Sequence, residues 1–313
     1  MNPLLLAARF GPYVLIAGLV VGLAAPSLAQ VLSPYMPQLV AVLLFVSVLR
    51  IAPQDILGSL SDLPGTVGVV LIMQMITPLT VLGIGSALGL GSSPYLLALI
   101  LMTAAPSIVG SPNICLMMGV QPGHALRLMV LGTALLPVTV VPVFWWVPGL
   151  GEISVVLFAA LRLFLVILGV TALAVLVRHW VLRNPSERTK AQMDGASAIA
   201  LAVFVIGLMP SVSAAASANP GTALGWLGLA CLANFGAQIG LYRITRTRMP
   251  ADRAVPLSVI AGNRNIALYF VSLPSEVIAP LLVFIGCYQI PMYLTPLVMR
   301  RFYRSGPPSE EDV

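Results

Sequence analysis

The stretch 94–120, PYLLALILMTAAPSIVGSPNICLMMGV, contains no Asp, Glu, Lys or Arg and is long enough to cross a bilayer, yet it is interrupted from Pro106 to Asn113. A spanning helix needs about 20 consecutive apolar residues. Backbone polar groups cannot stay bare in hydrocarbon, so an irregular segment at that depth must be buried in protein. The run therefore reads as a membrane crossing broken in its middle. A second run, 254–273, AVPLSVIAGNRNIALYFVSL, is broken in the same way at Ala261-Gly262-Asn263-Arg264-Asn265.

Eight further apolar runs lie around these two, at 11–31, 35–49, 65–91, 124–148, 153–177, 193–215, 220–242 and 276–299. The chain has 313 residues, of which 59% are hydrophobic and 8% charged, against about a quarter charged in soluble domains. That composition excludes a soluble enzyme and a nucleic-acid-binding domain. Strands would need alternating polarity and barrel closure, so the expected fold is an all-α membrane protein of ten transmembrane helices, one transporter unit over 1–313.

The net charge is +6, and its placement sets the orientation. With ten runs and an inside start, Arg9, Arg50, Arg127, Arg178, Arg183, Arg188, Lys190, Arg243, Arg246, Arg248, Arg253, Arg300, Arg301 and Arg304 fall on one face. The positive-inside rule makes that face cytoplasmic and gives both termini the same side. The expected location is the plasma membrane, or the inner membrane if the chain is bacterial. The opposite loops, near Ser33, Gly91, Gly151, Asn219 and Ser275, hold no Lys or Arg. A signal peptide ending at Ser27-Leu28-Ala29 would leave nine runs and put the charges out of step. Cys115, Cys231 and Cys287 have no metal-ligand or disulfide spacing and read as packing residues. The tail 305–313, with two prolines and three acids, reads as a disordered cytoplasmic end.

Five runs on each side of a cut near Gly151 make two halves, 1–150 and 151–304, and an odd number inverts the second. The fourth run of each half is the broken one. Interruptions at corresponding positions of two repeats point to a midplane site in secondary transporters. Pro106 and Pro112 would free the carbonyls of Met102 and Ile108, and Gly110 and Gly262 permit unwinding.

Arg264 sits in the second break with a charge it cannot shed, at an insertion cost of roughly 2.5 to 3.5 kcal/mol. No Asp or Glu is expected at depth in any run, Glu276 and Glu152 at the outer ends being the closest. What offsets Arg264 is then freed carbonyls or a bound anion, for which a guanidinium offers a bidentate fork. Arg162, roughly ten residues into the sixth run, faces a water-filled crevice or snorkels to the surface. The expected substrate-binding set is Ser111, Asn113, Asn263, Arg264, Asn265 and Arg162. Gln74, Thr133, Asn234 and Gln238 line the site or bridge helices, and Gly236 with Gly240 forms a close-packing pair. Without acids or histidines at depth a proton relay has no members; His124 and His179 lie at cytoplasmic ends.

On the Pro106 to Asn113 segment, the Asn234-Phe235-Gly236 to Gly240 pattern, the Gly262-Asn263-Arg264-Asn265 segment and the basic cluster ending the tenth run, the chain resembles the bile acid:sodium symporter superfamily. The resemblance implies a panel of runs 1, 2, 6 and 7 and a core of runs 3 to 5 and 8 to 10. It also implies carriage of an organic anion, a bile acid or small carboxylate, by alternating access and usually with sodium. Coupling-ion candidates carried over are Gln74, Ser111, Asn113, Thr133 and Asn263. Pro112 separates Ser111 from Asn113, and no acid precedes Asn263, Ser258 and Val259 standing in that stretch. A guanidinium disfavours sodium nearby, so the expectation is a sodium-independent carrier with Arg264 in place of the coupling cation, no organic cofactor, and an organic anion and the bilayer as partners. The alternatives are a sodium-coupled symporter or a non-transporting membrane receptor or assembly subunit. An arsenite permease or sodium/proton antiporter would need acids that the breaks lack.

Overall fold

A backbone amide in hydrocarbon has no water to bond, so apolar runs close their hydrogen bonds internally as helices. The computed structural model describes residues 2–50, 63–147, 153–183 and 185–304. The expected repeat boundary at Gly151, Glu152 and the 305–313 tail lie outside the described residues. In chain order the helices are α1 (Pro3–Arg9), α2 (Gly11–Ala24), α3 (Pro26–Leu49), α4 (Leu63–Ala87), α5 (Pro94–Ala104), α6 (Ser111–Met118), α7 (Gly123–Trp146), α8 (Ile153–Trp180), α9 (Glu187–Ala218), α10 (Pro220–Thr245), α11 (Ala251–Gly262) and α12 (Ser275–Tyr303). A 3-10 stretch occupies Ile266–Val271. Among the described residues there is no strand, only an isolated antiparallel bridge. Among the described residues, seven helices, α3, α4, α7, α8, α9, α10 and α12, are long and apolar enough to cross a membrane. The chain thus has the all-helical character of a multi-pass membrane protein.

Three of the ten expected runs are not single helices. Two are the interrupted ones. The third, 11–31, stops at Ala24 because Pro26 clashes with a helical predecessor, and Ala25 sits at φ −123°, ψ 70°. The next helix starts at Pro26 and carries on through Ser33, an expected loop residue, by way of a short 3-10 turn at Ser33–Tyr35 that accommodates Pro34. Helix α9 starts earlier than the expected 193. The Ser186 hydroxyl accepts from the Thr189 amide at 3.2 Å, and Glu187 pairs with Lys190 at 2.7 Å, so the first turn is capped. This places Asp194 inside α9, half-buried, correcting the expectation that no acid enters a span.

The chain divides into two compact units. One comprises Met1–Pro53, Phe158–Gly225 and Ala267–Gln289; the other comprises Gln54–Leu157, Trp226–Ile266 and Ile290–Val313. In the first, α9 packs along α1, α2 and α3. Gly195 makes the α1 contact possible, since a Cβ there would run into the Leu4 carbonyl. Near the end of α8, the buried Arg178 donates to the Leu49 carbonyl at 2.7 Å, a cation on the carbonyl end of α3. In the second unit, Cys115, Leu128, Tyr242, Val259, Met299 and Tyr303 belong to one apolar cluster joining α6, α7, α10, α11 and α12. None of the three cysteines forms a disulfide.

Gly195→Ala is expected to push α1 off α9 and cost about 1 to 3 kcal/mol, as overpacking does. Gly169→Ala on α8, where nothing lies within 4 Å of the added methyl, is expected to leave the thermal midpoint unchanged or slightly raised. Thermal unfolding of the two purified variants in one detergent checks the pair.

Candidate crossing site of two interrupted helices

Each break follows from its own residues. Ala105 precedes Pro106 and is turned out of the helix to φ −67°, ψ 151°, which ends α5. Helix α6 restarts at Ser111 with Pro112 in its first turn, where a missing amide hydrogen costs nothing. Helix α11 ends at Gly262, after which Asn263 leaves helical geometry at φ −115°, ψ 87°.

The exposed backbone of one break pairs with the other. The Ile108 amide donates to the Asn263 carbonyl at 3.1 Å, and the Asn265 amide donates to the Pro106 carbonyl at 2.8 Å. Ser107 and Arg264 thus face each other as an antiparallel bridge. The carbonyls expected to be free are not. Met102 accepts from the Ala105 amide at 3.2 Å, and Ile108 accepts from the Ser111 amide at 3.1 Å, because the last turn of α5 and the entry to α6 both tighten. The Ser107 hydroxyl lies 2.7 Å from that of Ser111.

Arg264 is 3% exposed. Its guanidinium donates to the Ala105 carbonyl at 3.0 Å and, through Nε, to the Ala261 carbonyl at 3.3 Å. Both acceptors close helix C-termini, of α5 and of α11, which carry partial negative charge. The dipoles of these two carbonyl ends offset part of the cation's charge.

An amide and hydroxyl network holds the second break. Helix α10 widens into a π turn at Leu232–Gly236, and this projects Asn234 at the crossing. The Asn234 side-chain amide donates to the Gly262 carbonyl and, at 3.2 Å, to Asn263 Oδ1. Gln238 donates to Asn234 Oδ1 at 2.7 Å and to the Thr295 hydroxyl at 3.2 Å. Thr295 lies 3.1 Å from Asn263 Oδ1, and the Tyr303 hydroxyl donates to Gln238 Oε1 at 3.1 Å. Gly262 must be glycine here, because a Cβ would collide with the Asn234 carbonyl and the Gln238 amide. A sparser polar contact lies at another π turn. A π turn at Ile72–Ile76 in α4 carries buried Gln74, whose Oε1 accepts from Thr139 at 3.1 Å.

Ser111, Asn263 and Arg264 are thus buried at the crossing, with Asn265 half-buried, while Asn113 is exposed on α6. Gly110, half-buried, leads into α6. Arg162 lies exposed on α8, in the first unit, outside this cluster. Thr133, the hydroxyl expected in the fifth run, is half-buried one and a half turns before Thr139, and Thr139 meets Gln74 instead. Thr139, Thr295 and Ser107 were not among the sequence candidates. A signal for the two threonines exists, each being a polar residue in a run that carries two prolines, Pro137 and Pro142 in α7 and Pro291 and Pro296 in α12. No protein-family model matches the chain, and no curated protein sequence matches it.

Thr139→Val keeps the volume but leaves Gln74 without its partner, for an expected loss of about 1 to 3 kcal/mol. Thr133→Val is expected to stay within about 0.5 kcal/mol of the parent. Thermal melts of both in detergent decide between them.

Proposed function

We propose that the protein is a secondary transporter of small organic anions, carboxylates or bile-acid-like, built on the ten-span, inverted-repeat plan of the bile acid:sodium symporter superfamily and running without sodium. The observation that carries this reading is Arg264, a permanent cation on the carbonyl ends of two half-helices that pair through their backbones at matching breaks. In transporters with broken helices, such carbonyl ends coordinate the coupling cation. A tethered guanidinium here takes that role and repels a free ion.

The order of elements supports the repeat. A π-turned helix, a half-helix, a break and a helix with two internal prolines follow one another at α4, α5 and α7, and again at α10, α11 and α12. The two units support the panel and core grouping, with runs 1, 2, 6 and 7 in one and α4 to α7 with most of α10 and α11 in the other. The segment 267–289 departs from it by falling with the first. For the anion, Asn113 and Asn265 offer amide donors, and the start of α6 carries partial positive charge.

A non-transporting receptor or assembly subunit is the second reading, favoured by the guanidinium's burial on carbonyls, which suits a static brace. Purified protein in liposomes, loaded with a panel of short carboxylates and bile salts, tests both. The expected result is uptake and exchange of at least one anion at equal rates in sodium and potassium chloride. Uptake that scales with a sodium gradient contradicts the arginine-based mechanism, and no uptake of any anion, with Asn113→Cys protected from polar thiol reagents, supports the brace.

A further inference from the structure

Among the described residues, some basic residues have partners within the protein and others do not. In the first unit, Arg178 is bonded to the Leu49 carbonyl, Arg183 donates to the His179 carbonyl at 3.0 Å, and Lys190 pairs with Glu187. In the second, Arg243 and Arg246 at the end of α10, Arg248 in the turn, Arg253 in the first turn of α11, and Arg300 and Arg301 at the end of α12 are all exposed. None of these six meets a carboxylate among the described residues. Only one acid, Asp252, occurs in the segments 237–262 and 290–304 that carry them.

Four of these arginines, Arg243, Arg246, Arg300 and Arg301, lie on helix ends that meet. Tyr242 packs edge-on against Tyr303 at 5.0 Å and against Phe302 at 5.4 Å, and its hydroxyl donates to the Tyr303 carbonyl at 3.4 Å. The ends of α10 and α12 are therefore held together, and Arg243 and Arg246, within about a turn of Tyr242, share that end of the unit with Arg300 and Arg301, within a turn of Tyr303. One turn before the last pair, Leu297 and Val298 are 65% and 51% exposed, and Ile244, next to Arg243, is 59% exposed. Residues three and four apart share a helix face, so Leu297 lies directly beneath Arg300 and Arg301. A signal for orientation alone needs only an excess of positive charge in the loops. Here the charge is gathered at one end of the unit, supplied by guanidinium forks that match phosphate oxygens, and continued by bare apolar side chains.

We propose that this end of the second unit is a binding site for an anionic phospholipid, with the headgroup phosphodiester in the forks of Arg300, Arg301, Arg243 and Arg246 and an acyl chain along Leu297 and Val298. Basic surfaces at the ends of membrane helices attract anionic headgroups by about fivefold in affinity per arginine. The site is independent of the transport reading, since it uses none of the crossing residues.

The test is the thermal midpoint of the full chain in detergent, titrated with phosphatidylglycerol, with phosphatidylcholine of the same acyl chains, or with inorganic phosphate. Phosphatidylglycerol is expected to raise the midpoint saturably and less so as salt increases, while the other two leave it unmoved. Arg300→Gln with Arg301→Gln is expected to weaken the apparent affinity about 25-fold, at about fivefold for each arginine removed, with the midpoint in phosphatidylcholine unchanged; the paired lysine variant keeps part of the affinity. Equal stabilisation by both lipids overturns the proposal, as does equal stabilisation by phosphate alone, which assigns the surface to a soluble anion. An undiminished response in the glutamine variant overturns it too. If that variant does not fold, the lipid and salt series on the parent chain decides alone.

Discussion

Two helices that stop among buried apolar residues leave carbonyl and amide groups with nowhere to turn, and the pairing of one break with the other is what makes them tolerable. The Ile108 and Asn265 amides, Asn263 and Pro106 carbonyls, and the Arg264 guanidinium close this account between 94–120 and 254–273. The π turns bring Gln74 and Asn234 to bear, and the threonines of α7 and α12 meet them from the opposite side.

The two halves satisfy the same constraint unequally. In the second, Asn234, Gln238, Asn263, Thr295 and Tyr303 hold one another in a continuous network around the Gly262 carbonyl. In the first, Gln74 and Thr139 stand together, with Ser107 and Ser111 bonded to each other. Charge enters only through Arg264. A carboxylate would have drawn a free cation to the junction; the guanidinium brings its own, and two helix dipoles end on it. The same principle recurs in the first unit, where Arg178 meets the end of α3. In both places a buried arginine donates to a carbonyl at a helix end.

Much of this is legible in the sequence because its causes are local. The helices follow from apolar runs, and the breaks from Pro106, Gly262 and the asparagines around them. What is not legible depends on partners far along the chain. Nothing near Ile108 indicates that its amide donates to the Asn263 carbonyl, and nothing near Thr133 indicates that Gln74, on a distant helix, is met further along by Thr139. The early start of α9 was signalled by Ser186 and Glu187, but the apolar count passed over them because it weighs hydropathy and not caps. The end of the first run at Ala24 was equally signalled by Pro26, and outweighed by the apolar residues on both sides of it.

The junction is built around a positive charge at residue 264. Unfolding of the purified protein with Arg264→Lys, Arg264→Gln and Arg264→Met tests this directly. Gln and Met are each expected to lose about 3 kcal/mol, the worth of two hydrogen bonds to a charged donor, and Lys to recover most of it. Apolar replacement of a buried charge is often neutral or stabilising, so a methionine variant as stable as the parent would contradict this role for the charge.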